Sequence, residues 1–204
     1  MKRLHLYLWT LFAVPAMPAP ADHLRAEVDS IYPQVHALYR DLHQNPELSN
    51  QEVKTAAKLA AGLRALGFEV TTGIGGTGFI GVLKNGAGPT VVLRTELDAL
   101  PVTEATGLPF ASKVRVKDAS GAEVGVMHAC GHDVHMSAWM GTATLMARKK
   151  SNWRGTLVLV GQPAEELGVG ARAMMADGLL KRIPKPDFAL AIHDDSRRPA
   201  GEVG

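Results

Sequence analysis

The sequence predicts an α/β fold, with helices layered around a central sheet, and three observations carry that reading. Thr156-Leu157-Val158-Leu159-Val160 is a nearly all-apolar run, the composition of a strand buried on both faces. Phe188-Ala189-Leu190-Ala191-Ile192 is a second such run. Segments with apolar residues three and four apart lie among the strand candidates, and strands alternating with helices pack as layers.

The first segment stands apart. Met1-Lys2-Arg3 is basic, and Leu4 to Met17 is mostly apolar but too short to span a bilayer comfortably. Ala19-Pro20-Ala21 fits an A-x-A cleavage site. The expectation is a secretory signal peptide over 1–21 and a folded domain over 22–204; an N-terminal anchor or a chance apolar start is the alternative. A signal implies a secreted or periplasmic protein, with no membrane contact after cleavage.

From Asp22 to about His43, Leu24, Val28, Ile31, Val35, Leu38 and Leu42 recur at helical spacing. Asn45-Pro46 breaks this helix. Ser49 and Glu52 form a capping-box pattern for a second helix, which ends at Gly67. Phe68 to Thr72 reads as a short strand. The next six residues match G-x-G-x-x-G, but a dinucleotide site needs a helix directly after the glycines. Phe79 to Leu83 is β-like instead, so these glycines join two strands. Thr90 to Arg94 is another apolar strand, and Val124 to Met127 a further one. Asp133 to about Lys150 and Gly170 to Leu180 read as helices.

Composition excludes some functions. The chain has 204 residues, 22 basic against 20 acidic, and a net charge of +2, so no field selects nucleic acid or acidic membranes. Aromatics make up only 5%, which argues against stacking on single-stranded nucleic acid. Cys130 has no internal disulfide partner.

Polar clusters sit where the predicted strands end: Glu96 and Asp98; Cys130, His132 and Asp133; Glu165-Glu166; and His193-Asp194-Asp195. Strand ends of an open α/β sheet converge on one crevice, the usual site of ligands. Thiolate, imidazole and carboxylate are the ligand set of zinc and its neighbours. Cys130 and His132 are two apart, so an irregular loop can aim both at one point. Glu166 and His193 come from other strands. Glu165 can take a proton from water. Asp98 can hydrogen-bond a ligand imidazole and fix its tautomer.

Plainer readings stand beside these. A lone cysteine is ordinarily a buried small hydrophobe, and a Glu-Glu pair is ordinarily a solvated helix start. His23, His36 and His43 read as helix-surface or packing residues. His128 and His135 are candidates for supporting or substrate contacts, and Met174-Met175 for the core.

The segment Leu93 to Val102, with Glu104 and Thr106-Gly107-Leu108-Pro109-Phe110, resembles the Arg-Ala-Asp-Met-Asp-Ala-Leu-Pro block of metal-dependent amidohydrolases. Aminoacylases, hippurate hydrolase, indole-acetyl-amino-acid hydrolases and related carboxypeptidases form that family. His43 to Ser49, Met127 to Asp133, Gln162 to Glu166, and Ile192-His193 with Pro199-Ala200-Gly201 match its other blocks in order. The resemblance implies a three-layer sandwich on a central mixed sheet, like zinc exopeptidases, truncated before a lid or dimerisation domain. It implies two divalent ions (Zn²⁺, Mn²⁺, Co²⁺ or Ni²⁺) on Cys130, His132, Glu166 and His193, with Cys130 bridging. Glu165 is then the general base and Asp98 supports the site. The implied substrate is a small N-acyl amino acid, amide or dipeptide, and the implied full-length relatives are homodimers.

Two departures stand out. Thr95-Glu96 replaces the commoner Ala-Asp, and two acids follow His193. The resemblance also implies longer chains in which a late histidine completes the site. The alternative to a hydrolase is therefore an inactive metal-binding fragment. A thiol enzyme using Cys130 is a third reading, weakened by the adjacent carboxylates and the lack of a resolving cysteine.

Overall fold

The computed structural model describes residues 20–118, 120–199 and 201–202. Residues 1–19, which hold most of the expected signal segment, lie outside it. The helices are α1 (Pro20–Gln44), α2 (Val53–Ala65), α3 (His132–Arg148), α4 (Gly170–Ala176) and α5 (Leu179–Arg182). The strands are β1 (Glu69–Ile74), β2 (Gly78–Asn85), β3 (Thr90–Glu96), β4 (Arg115–Lys117), β5 (Glu123–Gly125), β6 (Gly155–Gln162) and β7 (Phe188–Ala191). Among the described residues no helix is long and apolar enough to cross a membrane.

Five strands form one sheet in the order β1-β2-β6-β3-β7. β2 pairs antiparallel with both β1 and β6, while β3 pairs in parallel with both β6 and β7. The sheet is mixed, as expected. Side chains alternate across it, as the pleat requires. Phe79, Leu83, Leu157 and Leu159 face a core shared with Leu42, Leu59, Leu63, Trp139 and Met140 of α1, α2 and α3. Ile80, Val82, Val92, Val158 and Val160 face the other way, onto Met174, Leu179 and Ile183. Burial on both faces explains why β6 has so few polar residues. These are the three layers.

Several expectations need correction. The glycine-rich segment does join β1 to β2, but β1 runs two residues further, to Ile74. No side chain caps α2: Ser49 Oγ donates to Asp98 Oδ2 at 2.6 Å instead, and Glu52 turns inward. β5 pairs only with β4, in a separate two-stranded sheet. The helix expected over Gly170 to Leu180 is two pieces, divided at Gly178 with φ of 82°. Met174 is core, but Met175 is half exposed. β7 is an edge strand, with Phe188 and Leu190 exposed rather than buried.

Candidate metal centre

The parallel pairing of β3 and β6 sets Glu96 opposite Gln162, so both strands end level. Asp98 follows one and Glu165-Glu166 the other. A short backbone bridge between Leu100 and Met127 draws the next segment to the same place. Gly131, with φ of 72°, then starts α3 from the left-handed region. A Cβ there would sit 2.8 Å from the tip of the Asp194 side chain, and the left-handed φ itself favours glycine. This kink turns Cys130 and His132 toward one point. β7 pairs with β3 and delivers His193 on the far side.

Cys130 Sγ lies 3.6 Å from His193 Nε2. His132 Nε2 lies 3.7 Å from Glu165 Oε2 and 3.8 Å from Glu166 Oε1. Nitrogen or oxygen ligands about 2.1 Å from a tetrahedral ion stand about 3.4 Å apart, and a sulphur–nitrogen pair about 3.6 Å. The first separation meets that value and the other two exceed it slightly. His132 Nδ1 lies 2.7 Å from the Asp98 main-chain oxygen. A carbonyl only accepts, so Nδ1 carries the proton and Nε2 presents its lone pair. Both His132 Nε2 and Glu166 Oε1 are buried without a hydrogen-bond partner, which is costly unless a cation satisfies them. The donor set of thiol, imidazole and carboxylate suits a first-row divalent ion. The residues therefore fit a metal.

The electrostatics agree. Burial, then Glu166, Asp194 and Glu165, push the Cys130 thiol up to about 12. A thiol so placed is mostly protonated near neutral pH, which weighs against a free thiolate nucleophile. Burial opposes ionisation of Asp98, but His132, the Ser49 hydroxyl and the N–H groups of Glu166 and Glu165 prevail and hold it at about 2. Its Oδ2 accepts the Glu166 N–H at 3.0 Å and so fixes the Glu165-Glu166 turn. Glu165 itself is about one-third exposed.

The six predicted residues thus gather in one place, with Asp98 behind and His193 at the exposed rim. Sequence reasoning missed others. His43 is no surface residue: its Nδ1 lies 2.6 Å from Asp133 Oδ2 and its Nε2 3.1 Å from Glu104 Oε1. Both nitrogens face carboxylates. Burial disfavours the charge, but bonds to Glu104 and Asp133 outweigh it and raise the His43 pKa. Asp133 adjoins His132, so this ion cluster anchors the start of α3. Burial pulls the pKa of His128, which has no hydrogen-bond partner at either nitrogen, down to about 3.

Glu52 was the other miss. It is fully buried, and Oε1 accepts N–H bonds from Ala164 at 2.8 Å and Asn50 at 2.9 Å. Oε2 accepts from the Thr77 hydroxyl at 2.6 Å. Ala164 has φ of 47°, a strained value for a non-glycine residue. The buried carboxylate holds that kink, and the kink aims Glu165 and Glu166. The sequence reads Glu52 as part of a capping box with Ser49, and nothing local signals a partner 112 residues away.

Comparison with known proteins settles the family. The sequence profile of Peptidase family M20/M25/M40 matches residues 92–204, more than half the chain. The protein belongs to this family. Thermostable carboxypeptidase 2 of Saccharolobus solfataricus is 39% identical to it over 184 residues, covering 88% of this chain and 44% of the relative. The hippurate hydrolase of Campylobacter jejuni is 38% identical, covering 84% and 42%. The Bacillus subtilis YXEP protein, described as a dinuclear metal-binding peptidase of family M20, superposes with a TM-score of 0.73 at 35% identity, covering 85% of this chain and 45% of that one. This M20 chain spans less than half the length of the curated relatives it matches. The family is one of hydrolases, and the expected zinc-exopeptidase-like fold holds for this M20 chain.

Proposed function

We propose that the protein is a metal-dependent hydrolase of N-acyl amino acids or related small amides. The observation that carries this is the convergence of Cys130, His132, Glu165, Glu166 and His193 on one crevice, with two of their buried polar atoms unpartnered. Cys130, His132, Glu166 and His193 would hold two divalent ions, with Cys130 shared. Such ions supply Lewis acidity toward a carbonyl oxygen and make nearby water more acidic. Glu165 accepts the proton of the attacking water at its carboxylate and passes it to the departing amine nitrogen. Asp98 keeps His132 in its Nδ1–H tautomer through the main-chain oxygen and holds the Glu165-Glu166 turn through its carboxylate. The likeness to hippurate hydrolase supports an N-acyl amino acid as substrate.

The test is to load the purified chain with Zn²⁺, Mn²⁺, Co²⁺ or Ni²⁺ and assay hippurate and other N-acyl amino acids. Glu165→Gln should retain metal and lose turnover; Cys130→Ser should lose metal. Unchanged metal content in Cys130→Ser overturns the ligand assignment. A second reading, metal binding without turnover, is favoured by the uncovered apolar residues of β7. Metal retained with no hydrolysis of any acyl amino acid supports it. We also propose export, on the basic and apolar N-terminal pattern; cell fractionation tests it.

A further inference from the structure

His193 is the most exposed of the proposed ligands. Its strand, β7, is exposed along its whole length, and the pairing with β3 ends at Ala191, two residues short of it. The sheet alone therefore does not fix this side chain. Both main-chain polar groups of the next residue are engaged instead. The Asp194 main-chain oxygen lies 2.7 Å from His193 Nδ1 and can only accept, so Nδ1 carries the proton and Nε2 turns its lone pair toward Cys130. The Asp194 N–H donates to His135 Nε2 at 3.0 Å. That nitrogen is then a lone pair, and the His135 proton sits on Nδ1, 3.4 Å from Glu96 Oε2. Neither of these two atoms has a hydrogen-bond partner elsewhere among the described residues. Asp194 Oδ1 also stands 3.0 Å from His135 Nε2, but that carboxylate is more than half exposed and can turn to water. The support behind the pair is buried. Glu96 is held through Oε1 by Arg94, whose Nε donates to Gln162 Oε1 at 2.9 Å. His135 is buried on α3, one turn after His132, and its ring packs on that of His193 with centroids 4.5 Å apart.

We propose that Glu96 and His135 are positioning residues for the metal centre, given His193 as a ligand in the function proposed above. The buried carboxylate sets the His135 tautomer, the His135 lone pair holds the Asp194 main chain, and Asp194 sets the tautomer and place of His193. Partners that orient a ligand imidazole in this way govern metal affinity without touching the ion.

Long-range proton–nitrogen NMR spectra of the metal-free chain read each imidazole tautomer directly. His135 and His193 should both carry their proton on Nδ1; a His135 proton on Nε2 overturns the proposal. Glu96→Gln keeps the shape, but Arg94 claims its oxygen and leaves an amide N–H facing His135. His135 should then switch to the Nε2–H form and release the Asp194 N–H, and His193 should lose its single tautomer. Co²⁺ affinity should fall about tenfold or more in this variant, the usual cost of losing a ligand's support. His135→Ala should weaken Co²⁺ binding to a similar degree, yet add nothing in a His193→Ala background. Equal losses in both backgrounds mark a general structural effect and overturn the proposal, as does unchanged affinity in Glu96→Gln. If His135→Ala fails to fold, Glu96→Gln in the two backgrounds decides. Wild-type Co²⁺ affinity in His193→Ala refutes His193 as a ligand instead; a single, unchanged His193 tautomer in Glu96→Gln then overturns the positioning role as well.

Discussion

Glu52 gives the sharpest test of how the fold builds the site. Replacing it by Ala removes the acceptor of three donors: the N–H groups of Ala164 and Asn50 and the Thr77 hydroxyl. The Ala164 N–H is fully buried, so its loss costs about 1–3 kcal/mol. Asn50 and Thr77 are partly accessible to water and cost less. The summed loss is about 3–5 kcal/mol, a fall in Tm of about 6–20 °C for a domain of this size. Glu52→Gln behaves differently. Its one remaining oxygen can keep both N–H bonds, and the Thr77 hydroxyl can rotate to accept from the new amide. That variant should lose only about 1 kcal/mol. Urea unfolding measures both, and Co²⁺ affinity reports whether Glu166 has moved. Equal destabilisation by Ala and Gln refutes the hydrogen-bond account. A destabilised Ala variant with wild-type Co²⁺ affinity refutes the link from Ala164 to Glu166.

Three further outcomes follow from the geometry. Gly131→Ala forces a Cβ onto Asp194 in a left-handed conformation that costs about 1–2 kcal/mol, so Co²⁺ affinity should fall about tenfold or more by titration. The raised pKa of His43 makes its contribution to stability complete below the ordinary value of 6.5; it is lost as pH climbs through the folded value. Urea midpoints of the metal-free protein should show that decline, and His43→Gln should flatten it; an unchanged slope counts against a charged His43. Expression in a host with a general secretion system should yield a mature chain beginning at Asp22, which N-terminal sequencing checks; an intact Met1 in the exported fraction removes the signal assignment.

Much of this architecture is legible in the sequence because burial leaves a compositional trace. β6 contacts protein on both faces, and its run of Leu and Val records that. β7 has the same composition but lies at the edge, and composition does not encode which neighbours a strand receives. The ligand candidates are visible because Cys130 and His132 are close in sequence and chemically unusual. Their supports are not visible. Ser49 looks like a helix cap, yet its hydroxyl serves Asp98, 49 residues on. His43 sits at helical spacing with polar neighbours, and its ion partners are 61 and 90 residues away. A local pattern can show that a residue is polar; only the tertiary fold decides which polar groups are enclosed together.

The parallel pairing around β3 also dictates when the centre can exist. Cys130 and His132 are neighbours from the moment of synthesis, but His193 lies 63 residues beyond Cys130 and reaches it only once β7 has docked along β3. Closing such long loops is slow and entropically costly, so those contacts come late in folding. A nascent chain therefore offers passing ions only a thiol and an imidazole, a weak and unselective pair. On the proposed assignment, the full donor set, and with it any preference for one cation, becomes available only once the last strand has settled.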